Sequence, residues 1–272
     1  MRLLNPKPGT AFHSLNGRLA LFHEGAVQSE YWRQYWSDSA SQAIVQTGHE
    51  GQIPELEDLI AQWAPRDQPV LEAGCGPGHV VAALQAHGFQ AIGIEFEKDV
   101  VARARERHPG LDLRAGDVRN LELADGSIGC YLSLGVVEHF IEGPLHVLRE
   151  ARRVISTSGA ALVSVPYLNK LRRHHMEGLP SSAPPGAAFH QYYFDDAEFA
   201  SLASSAGLEV VDRRPYAVEA FLTREHPIFS RFWSSPVVRT RVKNQIRRAF
   251  QSMPSQMRER YAHMIMFVCK PT

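Results

Sequence analysis

The run Val70-Leu71-Glu72-Ala73-Gly74-Cys75-Gly76-Pro77-Gly78 joins an apolar strand, a carboxylate and glycines at alternate positions. Glycine permits the left-handed backbone of a tight strand-to-helix turn, and its missing Cβ lets a ligand lie against the main chain. That is the chemistry of a nucleotide-type pocket. A dinucleotide-binding turn reads Gly-x-Gly-x-x-Gly, whereas here the sixth position is His79 and the pattern is Gly-x-Gly-x-Gly. Glu95 follows about twenty residues later, where a carboxylate at a strand end accepts both hydroxyls of a nucleoside ribose. Asp117, in Ala115-Gly116-Asp117-Val118-Arg119, is a second carboxylate in reach of an adenine amino group. Close packing alone is the other use of such a glycine turn, and it leaves both carboxylates without a role.

Side chains able to move a proton form a second set. Gly135-Val136-Val137-Glu138-His139-Phe140 sets a carboxyl beside an imidazole just after an apolar run, and Phe189-His190-Gln191-Tyr192-Tyr193-Phe194 gathers another imidazole with two phenols. Tyr167 follows Val165-Pro166. Histidine accepts protons near neutral pH. His139 and His190 are therefore the candidate general bases, with Glu138 beside His139, and Tyr167, Tyr192 and Tyr193 are candidates for binding an acceptor. A helix start and packing are the alternative for the Glu138–His139 pair. Arg172-Arg173-His174-His175 reads either as solvated loop or as the receiver of an acidic substrate group.

Positioning these residues takes an alternation of strands and helices. From residue 53 onward the apolar pattern switches between short continuous runs and helical spacing, the mark of βα units and a parallel sheet. Ile53, Leu56, Leu59, Ile60 and Trp63 share a helical face that Pro65 ends. Strands are expected over 69–72, 91–95, 111–114, 128–134, 160–165, 209–213 and 263–268. Helices are expected from His79 to a closing Gly88, through Arg107, over 144–155, and from Asp195 to Gly207, where Asp195 and Glu198 have capping-box spacing. Residues 166–194 show no clean period, and a loop of that length is functional or disordered. Residues 216–260 carry basic helical stretches such as 237–250, whose default role is a solvated face. Tyr31, Trp32, Tyr35 and Trp36 have helical spacing and form an apolar stripe.

Composition narrows the class. At 272 residues with 44% hydrophobic content the chain can bury a large core. Lys plus Arg equals Asp plus Glu at 29 each, which gives no argument for a nucleic-acid partner. Cys75, Cys130 and Cys269 lie in or beside apolar stretches, where buried free thiols of a reducing compartment are expected. No window reaches the roughly 18 apolar residues of a membrane span, and the first residues lack a signal-peptide run. A cytoplasmic location is expected, with peripheral membrane contact left open by the basic 237–250 stretch.

The glycine turn, Glu95 and Asp117 together resemble the class I methyltransferases that use S-adenosylmethionine, in the broad small-molecule branch that reads Val-Leu-Asp-x-Gly-Cys-Gly-x-Gly. The resemblance covers about Gln52 to Arg213 and the last strand. It implies that Glu72, Gly74, Cys75, Gly76 and Gly78 hold the methionine part of the cofactor. Glu95 then takes the ribose, Phe96 flanks the adenine, Asp117 and the Val118 amide read the base, and Leu134 lines the same pocket. The family's Asp-Gly-Ser-Phe-Asp is here Asp125-Gly126-Ser127-Ile128-Gly129. An N-terminal helix that closes over the cofactor, common in the family, would bring Tyr31 or Arg33 to its carboxylate. Some relatives bind metal through Glu-x-x-Glu-His; Gly135 stands at the first Glu here, so no metal is expected unless His190 helps.

The alternating pattern gives an α/β fold, and the resemblance implies a doubly wound, mostly parallel, Rossmann-like sheet of seven strands in the order 3-2-1-4-5-7-6, strand 7 antiparallel. Residues 1–50 are expected to form a helical cap and 51–272 the main domain, with 166–194 and 216–260 on the substrate side. The expected activity is methyl transfer from S-adenosylmethionine to an oxygen or nitrogen of a small molecule or glycan. The alternatives are an oxidoreductase with a nicotinamide cofactor and a non-catalytic S-adenosylmethionine-binding protein.

Overall fold

A computed structural model of the chain describes residues 9–24, 32, 36, 57–226, 228–229 and 253–272. In chain order its strands are β1 (Thr10–Leu15), β2 (Arg18–Glu24), β3 (Val70–Ala73), β4 (Ala91–Glu95), β5 (Asp112–Ala115), β6 (Ile128–Leu134), β7 (Ile155–Pro166), β8 (Ala187–Tyr192), β9 (Leu208–Tyr216) and β10 (Met264–Pro271). The described helices are α1 (Glu57–Trp63), α2 (His79–Ala86), α3 (Lys98–Arg107), α4 (Leu145–Val154), α5 (Lys170–Met176), α6 (Asp196–Ser205), α7 (Val218–Arg224) and α8 (Ser255–Tyr261). The expected helix over 237–250 and the positions Ile53, Leu56, Tyr31 and Arg33 lie outside the described residues.

Seven strands form one mixed sheet in the order β5-β4-β3-β6-β7-β10-β9, the order expected from the sequence. Strands β3, β4, β5, β6 and β7 pair in parallel. The amide of His263, at the start of β10, donates to Tyr216 at the end of β9, while Thr272 donates back to Gly207 before β9. Those two bonds run β10 against β9. Every residue of β3 is buried, and β6 is buried except at its last position. A strand covered on both faces reads as a continuous apolar run. At the edge of the sheet β5 buries only Leu113 and exposes the charged Asp112 and Arg114, which discourages further strand pairing.

The chain divides into two units, and the boundaries fall within strands and loops rather than between domains in series. One unit comprises residues 27–164, 197–213 and 267–272. Its helices bury one apolar stripe each: Val80 to Leu84 in α2, Val100, Val101 and Ala104 in α3, and Val147, Leu148, Ala151 and Val154 in α4. Phe199 of α6 stacks on Phe267 of β10 with ring centroids 4.1 Å apart. Gly129 has its reason in space. A Cβ there would stand 2.5 Å from Pro65 Cγ and 2.6 Å from Gln68 Cβ.

The other unit comprises residues 1–26, 165–196 and 214–266. It joins the N-terminal segment to the two stretches that the sequence set apart. Within the segment 1–50, expected as a helical cap, residues 10–24 form a hairpin instead of helix, paired from Leu15↔Arg18 to Thr10↔His23. Its loop is Asn16-Gly17 with φ of 53° and 78°, the two positive angles that a two-residue type I′ turn requires. β8 extends it to three strands in the order β1-β2-β8. The segment 166–194, expected as loop, thus holds both α5 and β8. Phe12, Leu19, Leu168, Tyr193, Val218, Phe221 and Leu222 form the apolar core of this unit. β7 also begins five residues earlier than the apolar run suggested, at Ile155, because Ile128 pairs with it.

Candidate active site

The glycine turn lies where β3 hands over to α2. Gly74, Gly76 and Gly78 have φ of 82°, 51° and 84°, and the amides of Gly74 and Cys75 donate to the Ile94 carbonyl at 2.7 and 3.0 Å. A Cβ on Gly76 would sit 2.6 Å from Cζ2 of Trp36, so this position combines a left-handed backbone with no room for a side chain. Cys75 is buried beneath the turn, and burial pushes its thiol up. It packs against Gly93 of β4, where a Cβ would come within 2.7 Å of its sulfur.

Parallel pairing brings the carboxylates of β3 and β4 to one edge. The Gly76 amide donates to Glu95 Oε2 and the Glu97 amide to Oε1, both at 2.9 Å. Each oxygen keeps a lone pair for a ligand hydroxyl. Burial raises the Glu95 carboxyl, and the amides of Glu97, Gly76 and Phe96 pull against it. Glu72 is 3% exposed, and its Oε2 has no hydrogen-bond partner. Burial raises its carboxyl well above the usual range, a backbone bond from Val81 opposes this, and the Glu95 charge adds to it. A buried acceptor without a donor is costly. A positively charged donor beside the glycine turn would satisfy it.

Asp117 follows β5 as expected, but its carboxylate is engaged. Arg119 donates to it from its own amide at 2.9 Å, from Nε at 3.0 Å and from Nη2 at 2.8 Å. That grip holds the Asp117 carboxyl below its usual value. Val118 is buried, Leu134 is half-buried, and Phe96 is 63% exposed, with its ring free to flank a base.

After β6 a short 3-10 turn, Val137–His139, carries the acid and the imidazole. Glu138 is 2% exposed, and burial pushes its carboxyl up to about 8. Its Oε1 is 3.8 Å from His139 Nε2, and its Oε2 has no partner. Two tryptophans one helical turn apart, linked by a 3.0 Å bond from the Trp36 amide to the Trp32 carbonyl, reach this unit's site. Trp32 meets His139 edge to face at 4.9 Å, and Trp36 lies against Gly76 and 6.2 Å from the His79 ring. The aromatic stripe was legible in the sequence. Its use against the turn and His139 was not.

The remaining candidates belong to the other unit. His190 sits at an irregularity of β8, where the register jumps from Leu21↔Gln191 to Phe22↔Phe189, and its ring meets His23 edge to face at 4.4 Å. The Tyr167 hydroxyl donates to Asp196 at 3.1 Å. Tyr192 is fully buried with the Arg18 guanidinium 5.3 Å from its ring, and Tyr193 is buried in the unit's core under Arg172 at 4.5 Å. Contact of either ring with an acceptor requires that packing to open.

The basic run 172–175 is not an open receiver of acids. Arg172 is fully buried: its Nε donates to Glu225 at 2.9 Å, Nη2 also pairs with Glu225, and Nη1 donates to the Tyr167 and His263 carbonyls. Burial would raise Glu225, but Arg172 and His263 hold it at about 2. Arg173 pairs with Asp195 at 2.7 Å, and His175 meets Phe12 edge to face. Among the described residues, no group of three or more His, Cys, Asp or Glu side chains is placed to hold a metal. Among them, too, no helix is long and apolar enough to cross a membrane.

Comparison with known proteins agrees with the geometry. Residues 71–163 match the family described as "Methyltransferase domain". The Mycolicibacterium smegmatis protein named "Probable S-adenosylmethionine-dependent methyltransferase" is 32% identical over 154 residues, 57% of this chain and 56% of that protein. The matched part thus spans little more than half of that relative. A Pyrococcus horikoshii crystal structure aligns with a TM-score of 0.57 at 15% identity, covering 89% of this chain and 99% of the other. The Burkholderia thailandensis 1,6-didemethyltoxoflavin-N1-methyltransferase, solved with 1,6-didemethyltoxoflavin and S-adenosylhomocysteine, aligns at 0.53 and 16% identity over 93% of this chain and 96% of the other. At these identities the structural likeness concerns the fold. By strand order and glycine turn the chain has the fold of these structures, and over residues 71–163 it carries a stretch that matches a methyltransferase domain and is similar to proteins named as S-adenosylmethionine-dependent methyltransferases.

Proposed function

We propose that this chain transfers a methyl group from S-adenosylmethionine to an oxygen or nitrogen of a small molecule or glycan. The observation that carries the reading is the pair of carboxylates flanking the glycine turn. Glu72 offers a buried, unpartnered oxygen suited to an ammonium, and Glu95 offers two oriented oxygens suited to ribose hydroxyls. In this reading Glu72 with Gly74, Cys75, Gly76 and Gly78 holds the methionine part. Phe96, Asp117, Val118 and Leu134 surround the adenine.

When bound, the cofactor supplies a methyl group on a positively charged sulfur, ready for in-line displacement. The residues of the chain then have three tasks: to hold the acceptor about 3 to 3.5 Å from that methyl, to exclude water, and to take up a proton where the acceptor releases one. Trp32 and Trp36 cover the turn and the imidazole. His139 is the proton acceptor beside the turn. Glu138, still protonated near pH 7 by its burial, leaves His139 without a full counter-charge and can itself donate a hydrogen bond. His190 is the second candidate base, and Tyr167, Tyr192 and Tyr193 are the candidate acceptor-binding groups. A cytoplasmic location and a small-molecule acceptor complete the proposal.

The test pairs binding with turnover. Calorimetry should show one S-adenosylhomocysteine site per chain and no site for NAD, and a panel of amine, hydroxyl and sugar acceptors should release S-adenosylhomocysteine from the methyl donor. His139→Ala should lower turnover of a hydroxyl acceptor far more than cofactor affinity. Equal turnover by the wild type and the His139→Ala, His190→Ala double variant would remove the general base while leaving methyl transfer by proximity.

A further inference from the structure

Asp117 is the residue this reading assigns to the adenine amino group, yet three donor groups of Arg119 already hold its carboxylate. Arg119 is 43% exposed and Asp117 32%, so the pair stands at the surface, where a ligand can reach it. A second anchor lies beside it: Arg119 Nη1 is 3.5 Å from Glu142 Oε1, and the guanidinium lies 5.4 Å from the Phe140 ring centroid. Both belong to the segment after the Glu138–His139 turn. Arg119 is therefore placed between two carboxylates and an aromatic face.

We propose that Arg119 is a latch on the base end of the cofactor site: it competes with an adenine amino group for the Asp117 carboxylate and, when displaced, keeps its contacts with Glu142 and Phe140. The proposal rests on the methyltransferase reading and assigns a role to a residue outside the expected contact set. An exchange of donors on one carboxylate changes little in total hydrogen bonding, so the latch lowers affinity modestly and speeds release of the adenosyl product. An exposed ion pair contributes little, so the expected effect on the dissociation constant is no more than about fivefold.

Titration calorimetry with S-adenosylhomocysteine tests this on chains that differ at single exposed positions. Arg119→Met should bind up to about fivefold more tightly than wild type, and Glu142→Gln, which removes the second anchor, should bind more weakly. Salt screens an exposed pair. Wild-type affinity should therefore rise between low and high ionic strength, while that of Arg119→Met stays flat. S-inosylhomocysteine, which carries a carbonyl in place of the amino group, should gain nothing from Arg119→Met. An equal gain for both ligands, or weaker S-adenosylhomocysteine binding by Arg119→Met, overturns the latch while the methyltransferase reading stands. Absence of S-adenosylhomocysteine binding by every chain overturns both.

Discussion

At the scale of single residues, two carboxyl groups set the behaviour of the site. Glu95 takes one main-chain N–H on each oxygen, so its orientation does not depend on a ligand. Hydrogen bonds to a charged group contribute about 1.5–3 kcal/mol. Glu95→Gln, which turns one acceptor into a donor facing an amide, should weaken S-adenosylhomocysteine binding by one to two orders of magnitude in calorimetry. Glu138 gives a pH signature instead. Its carboxyl stands at about 8 in the folded chain against an ordinary 4.5, so between those values the folded state keeps a proton that the unfolded state has lost. Stability therefore falls as pH rises through that window. Glu138→Gln removes this slope, and its melting temperature should gain on wild type steadily from pH 5 to pH 8.5. A constant difference across that range would contradict the assignment. Glu72 and Glu95 were legible in the sequence because each closes a short apolar run. The grip of Arg119 on Asp117 was not, since strand pattern says nothing of which surface cation turns toward which acid.

At the scale of elements, the strand-to-helix turn after β3 is the part least tolerant of change. Gly76→Ala forces a side chain into a left-handed conformation, worth about 1–3 kcal/mol, and into the Trp36 indole. The expected result is loss of S-adenosylhomocysteine binding with a lowered melting temperature. Trp36→Ala added to it should recover part of the stability and none of the binding. Short apolar runs closed by helices with their own stripes made the βα alternation readable, while the order of the seven strands came from the family resemblance rather than from the pattern. The hairpin of β1 and β2 escaped although Asn16-Gly17 is a strong turn signal. Its alternation is broken by His13 and Ser14, and its third strand, β8, pairs across the long interval from Ala20 to Tyr192. β8 was further obscured by Pro184, Pro185 and Gly186 just before it.

At the scale of the whole molecule, each of the two units has its own source of stability. The unit of the large sheet rests on apolar strands and stacked helices. The other holds a buried ionic group, Arg172 with Glu225 and His263, whose members are 53 and 91 residues from Arg172 in sequence. That separation is why the 172–175 run read as solvated or substrate-binding. Removing one member of a buried pair leaves an uncompensated charge, a loss of about 3–5 kcal/mol. Glu225→Ala should show it in urea unfolding, and Arg172→Met with Glu225→Leu should lose less than Glu225→Ala alone. The account as a whole depends on the cofactor that the large-sheet unit accepts. Calorimetric titration of the full chain with S-adenosylhomocysteine and, separately, with NAD tests it most directly. The account predicts saturable binding of the first, abolished by Gly76→Ala and weakened by Glu95→Gln, with no heat from the second. Binding of NAD without binding of S-adenosylhomocysteine would contradict it.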